Sequence, residues 1–167
     1  LAKGTTILKN AAREPEVTNL ADCLRQMGAN ITGDGTDTIT IEGVESLHGA
    51  THAVMPDRIE TATWMIGAAL TNGSLRLKNA NLDHLTALVA PLEKTGVQIE
   101  ADGNDILVSR SGEKLIGTDI MTDPYPGFPT DIQAQFLTML TLCEGAGMVT
   151  ETIFENRFMH EIGRAHV

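Results

Sequence analysis

Ile7-Leu8-Lys9-Asn10-Ala11 returns further along the chain as Arg76-Leu77-Lys78-Asn79-Ala80, with the two asparagines 69 residues apart. The residues after each copy share one layout, so the pair marks an internal repeat, and the repeat decides the fold. Leu20, Ala21, Leu24 and Met27 recur at helical spacing before Gly28; Leu85, Leu88, Val89 and Leu92 do the same before Gly96. A glycine at that point serves as a left-handed helix stop. Short strands are expected next, over Asn30–Thr32 and Gln98–Glu100. Turns rich in Gly and Asp, at Gly33-Asp34-Gly35 and Asp102-Gly103-Asn104, then lead into Thr38–Ile41 and Asp105–Val108, which read as hairpins. A second helix comes after a proline in each copy: Ile59–Leu70 after Pro56, closed by Gly73, and Ile132–Cys143 after Pro129, closed by Gly145. Strands at Ser74–Leu77 and Val149–Phe154 open the next units, so the pattern is a β-α-β-β-α-β module. Two copies are visible and a third begins at Asn156.

These alternations make the chain α/β. Each module has one apolar face per element and must bury it against neighbouring copies, so two modules alone leave hydrophobic surface uncovered. The sequence opens on Leu1, not methionine, and is therefore expected to be cut from a longer chain.

Composition narrows the function. The 167 residues suffice for one domain or for parts of two, and 42% hydrophobic with 20% charged residues excludes a disordered chain. A net charge of −10 without a basic stripe argues against nucleic acid. Apolar runs such as Trp64–Leu70 fall far short of the roughly 20 residues that span a bilayer, and no signal-peptide layout opens the chain. A soluble, cytoplasmic protein is expected. Cys23 and Cys143 form no CxxC and read as buried, reduced thiols. His48, His52, His84, His160 and His166 lack metal-ligand spacing.

Chemistry is sought first at helix N-termini, where free N–H groups and the helix dipole favour anions. Two such corners occupy equivalent repeat positions: Pro56-Asp57-Arg58 and Pro129-Thr130-Asp131. An arginine in one copy thus matches an aspartate in the other. On local grounds Asp57 and either Thr130 or Asp131 also read simply as N-caps. Glu155 and Arg157 fall on one side of an extended strand and would pair there, as a phosphate or carboxylate clamp or as an ordinary surface ion pair. Glu14 and Glu16, beside Arg13, read equally as first-turn charges of a helix.

Four motifs in order, AAREPE (11–16), PDRIET (56–61), FPTDIQAQF (128–136) and TETIFENRFMH (150–160), resemble the enolpyruvyl transferase family, in its branch that acts on UDP-N-acetylglucosamine. The shikimate branch lacks counterparts of PTDIQAQ and FENRFMH and is the weaker match. The resemblance implies an inside-out α/β barrel of repeated units, incomplete here, with two similar domains and a substrate cleft between them. Residues 1–55 would end the first domain and residues 56–167 begin the second. It implies transfer of the enolpyruvyl group of phosphoenolpyruvate to the 3-hydroxyl of UDP-N-acetylglucosamine, with release of phosphate, as the first committed step of peptidoglycan precursor synthesis. No metal or organic cofactor is implied.

Carried over by the resemblance, Asp131 is the base, and Thr130 and Ile153 line the sugar-nucleotide site. Arg157 meets phosphoenolpyruvate, with Glu155 assisting, while Arg58, Glu14 and Glu16 belong to the charge network of the cleft. The family's lysine-asparagine pair, loop cysteine acid and later arginines have no counterpart in these residues, so the remainder of the protein is needed to complete fold and site. The end, residues 161–167, looks shortened and carries no functional expectation. Two other readings stay open: a non-catalytic UDP-sugar-binding module, and enolpyruvyl transfer to a shikimate-type acceptor.

Overall fold

In the computed structural model, which describes residues 1–110, 112 and 114–159, the chain divides into two compact units, Leu1–Met55 and Pro56–Val167. His160, His166 and the residues 161–167 lie outside the described residues.

The first unit holds β1 (Thr5–Lys9), α1 (Pro15–Gln26), β2 (Asn30–Thr32) and β3 (Thr38–Glu42). The strands form an antiparallel sheet in the order β1-β3-β2, with Ile7 opposite Thr40 and Ile31 opposite Ile41. Pro15 starts α1, where its missing N–H costs nothing. The small core is Ala21, Ile31 and Ile39, packed by Val17, Leu24 and Ile41. Arg25 ties the helix to the sheet: its guanidinium bonds the Ile31 carbonyl at 3.0 Å and the Asp34 carboxylate at 2.7 Å. That guanidinium holds the Asp34 carboxyl below the usual carboxylate range.

The second unit repeats the plan. After α2 (Arg58–Leu70) come β4 (Ser74–Leu77), a 3₁₀ turn (Leu82–Leu85), α3 (Thr86–Lys94), β5 (Gln98–Asp102) and β6 (Asp105–Ser109). The sheet is again antiparallel, in the order β4-β6-β5. The repeated Lys-Asn-Ala has a backbone cause. Asn10 and Asn79 both sit at positive φ, 54° and 53°, a region that asparagine enters more easily than other residues with a side chain. Gly28 and Gly96 likewise stop α1 and α3 at φ of 99° and 100°.

Beyond that sheet the unit adds β7 (Ile120–Met121), a 3₁₀ turn (Thr130–Ile132), α4 (Gln133–Leu140) and β8 (Val149–Thr150), with β7 parallel to β8. Helix α2 packs on both α4 and the sheet. The core includes Met65, Ile66, Leu88, Leu92, Ile106, Phe136 and Met139, and the Phe128 and Phe136 rings meet edge to face. Along the α2–α4 contact, Trp64, Ile66, Gly67 and Leu70 join Gln135 and Thr138 of α4 to line an apolar groove of about 290 Å³.

Four expectations need correction. The left-handed residue closing α2 is Asn72, at φ 52°, and not Gly73. The helix expected over Ile132–Cys143 opens as a 3₁₀ turn and ends at Leu140, where the Thr138 and Thr141 hydroxyls bond main-chain carbonyls and the chain passes into turns. The strand expected over Val149–Phe154 ends at Thr150. Both cysteines are half-buried rather than buried; burial raises the Cys143 thiol pKa.

Candidate active site

Asp131 and Arg157 meet directly. Arg157 Nη2 donates to Asp131 Oδ1 at 2.9 Å, with the Arg157 side chain 35% and the Asp131 side chain 57% exposed. The guanidinium also lies 5.3 Å from the centroid of the Phe154 ring. A carboxylate and an aromatic face thus hold the cation, and the carboxylate stays open to solvent.

Neither Thr130 nor Asp131 caps its helix, contrary to the local N-cap reading: the 3₁₀ turn is preceded by Pro129 and has no side-chain cap. Thr130, largely buried, instead sends its hydroxyl to Glu151 Oε2 at 2.8 Å. Glu151 Oε1 accepts from the Thr122 hydroxyl at 2.9 Å and from the main-chain N–H groups of Ile153 at 2.8 Å and Phe154 at 3.1 Å. Thr152 adds a bond from its N–H to the Thr122 hydroxyl at 2.9 Å, and its own hydroxyl donates to the Thr122 carbonyl. Burial pushes the Glu151 carboxyl up, but its donors outweigh burial and hold it below the usual range.

That clasp explains why strand β8 stops. The N–H groups of Ile153 and Phe154, which would extend a ladder, are taken by Glu151, and residues 155–158 form a turn. The expected alternation that pairs Glu155 with Arg157 on one strand face is therefore wrong. Glu155 is exposed within the turn, and the carboxylate at Arg157 is Asp131.

At the equivalent corner Asp57 does cap: its Oδ1 accepts from Ile59 N–H at 2.8 Å and Glu60 N–H at 3.1 Å. Arg58 is only 8% exposed and lies over the Tyr125 ring, 5.4 Å from its centroid. In the first unit, Glu14 stands at the N-cap of α1 without a side-chain cap bond, and Glu16 is exposed in the first turn. Sequence reasoning missed Glu151, Thr122 and Tyr125. The available signal for Glu151 was a carboxylate flanked by two threonines just past a strand. Among the described residues, no group of three or more His, Cys, Asp or Glu could hold a metal ion.

The sequence model of the EPSP synthase (3-phosphoshikimate 1-carboxyvinyltransferase) family matches residues 1–162. The chain belongs to the EPSP synthase family. Within it, the chain is 58% identical over 160 residues to the UDP-N-acetylglucosamine 1-carboxyvinyltransferase of Gluconacetobacter diazotrophicus, covering 96% of this chain and 38% of that protein. It is 54% identical to the Rhizobium johnstonii protein of the same name, with 96% and 37% covered. The chain thus spans about 38% of the length of the curated relatives it matches. Among solved structures, the enolpyruvyl transferase NikO from Streptomyces tendae superposes with a TM-score of 0.81 at 26% identity, covering 97% of this chain and 39% of that one. The EPSP synthase family fold, an α/β arrangement of repeated units that is incomplete in this chain, is therefore the fold described above. No helix among the described residues is long and apolar enough to cross a membrane.

Proposed function

We propose that this chain is part of an enzyme that moves the enolpyruvyl group of phosphoenolpyruvate onto the 3-hydroxyl of UDP-N-acetylglucosamine and releases phosphate. The reading rests on the 2.9 Å contact of Asp131 with Arg157, found in a chain 58% identical to a carboxyvinyltransferase named for that acceptor. Residues 1–55 then end one transferase domain and residues 56–167 begin the next.

In this reading Asp131 takes the proton of the acceptor hydroxyl as its oxygen bonds to C2 of phosphoenolpyruvate, the C2–C3 π bond opening and C3 taking a proton from a donor elsewhere in the full-length protein. Loss of phosphate from C2 with a proton from C3 then restores the double bond. Thr130 and Ile153 line the sugar-nucleotide side. Arg157 leaves its ion pair to grip the carboxylate or phosphate of phosphoenolpyruvate, since a planar guanidinium can hold such a group through two bonds and fix it against the attacking oxygen. Glu155 and Arg58 contribute charge around the site, and Glu14 and Glu16, in Leu1–Met55, are given no step. The product feeds peptidoglycan synthesis, and through it cell shape and division, in the cytoplasm.

The test is phosphate release from phosphoenolpyruvate by the full-length protein that contains this segment, offered UDP-N-acetylglucosamine or shikimate 3-phosphate. Release that depends on the UDP-sugar is expected. Release with the shikimate acceptor alone would move the protein to the other branch, and binding of the UDP-sugar without release would make it a binding module.

A further inference from the structure

The geometry points to Glu151 as the positioning residue that sets Asp131 against Arg157, a role that rests on the enolpyruvyl-transfer reading above. Its carboxylate bridges the two segments that carry those groups. Oε2 holds the Thr130 hydroxyl at 2.8 Å, one residue before Asp131. Oε1 holds the N–H groups of Ile153 and Phe154 at 2.8 and 3.1 Å, and Arg157 rests its guanidinium over that same Phe154 ring. The Thr122 hydroxyl, at 2.9 Å, anchors the bridge to the chain just after β7.

Three donors on Oε1 and one on Oε2 commit both oxygens of the Glu151 carboxylate to the fold. It acts through its neighbours. Each donor meets an ionised acceptor, the class of hydrogen bond that is shortest and strongest, and a partly buried carboxylate so held is stiff. Glutamate also has the necessary reach: aspartate, one methylene shorter, can keep the turn bonds or the Thr130 bond but not both.

The experiment is a double-mutant cycle in the full-length protein, measuring phosphate release per sugar-nucleotide site titrated by calorimetry. Glu151→Ala is expected to lower kcat about 10- to 100-fold, the scale of a displacement near 1 Å, measured at saturating UDP-N-acetylglucosamine so that any loss of affinity through Thr130 and Ile153 does not enter. The same change in an Asp131→Asn background is expected to cost much less, because the group being positioned has lost its function. Glu151→Gln should restore most of the rate, since its oxygen can keep the turn bonds while its NH₂ donates to a rotated Thr130 hydroxyl. Where Glu151→Ala fails to fold, Glu151→Asp supplies the same cycle. Equal losses in both backgrounds, or an unchanged kcat with Asp131 present, would overturn the positioning role. A wild-type protein that releases no phosphate is a separate result: it removes the reaction itself, and this role with it.

Discussion

Two corners of the second unit, Pro56-Asp57-Arg58 and Pro129-Thr130-Asp131, begin as copies and end with opposite uses. At the first, the carboxylate turns back on its own helix to cap Ile59 and Glu60, and the arginine packs over Tyr125. At the second, the hydroxyl turns away to Glu151, the helix starts uncapped through a 3₁₀ turn, and the carboxylate faces Arg157. One corner stabilises its helix; the other forgoes that stabilisation and keeps an acidic group open to solvent. Departures from local rules of this kind collect where a fold does chemistry.

The comparison can be broken in order of expected effect. Replacing Asp131 by asparagine in the full-length protein should lower phosphate release about 10²- to 10⁴-fold while sugar-nucleotide affinity, read by calorimetry, stays within about threefold. Undiminished turnover would mean that the open corner is not the reactive one. Arg157→Lys keeps the charge but loses the planar fork, so the KM for phosphoenolpyruvate should rise about 10- to 100-fold, the worth of a charge-assisted hydrogen bond. A steady-state titration with an unaltered KM would detach Arg157 from that substrate. Asp57→Ala removes only a cap: about 1 kcal/mol of stability and a melting temperature lower by about 2–4 °C, with kcat per folded site unchanged. A loss of turnover at constant melting temperature would show that the two corners are less different than their bonding indicates.

Much of this was legible in the sequence where it rested on backbone requirements. The repeated Lys-Asn-Ala and the glycines at positions 28 and 96 mark left-handed residues, and these fix where strands and helices end. Periodicity found α1 and α3 because their apolar faces are regular. Side-chain bonds to the main chain were not legible, and they accompany the boundaries that moved. Asn72 took the turn assigned to Gly73, hydroxyls accompanied the early end of α4, and Glu151 curled the chain after β8. The last case reached the site. Alternation puts Glu155 beside Arg157 only if residues 151–157 stay extended, and one carboxylate taking two N–H groups was enough to prevent that. The family motifs named Asp131 and Arg157, but their contact depends on a turn that spacing does not encode.

Helix α2 carries one more consequence, an optical one. Trp64 is the sole tryptophan of the chain, stands 55% exposed, and lines the apolar groove between α2 and α4. Its indole fluorescence therefore reports on that groove alone. Emission should sit at the long, water-relaxed wavelengths in this chain by itself and move to shorter ones whenever another segment covers the groove. Trp64→Phe should silence the signal, giving a direct spectroscopic readout of whether this apolar face is covered.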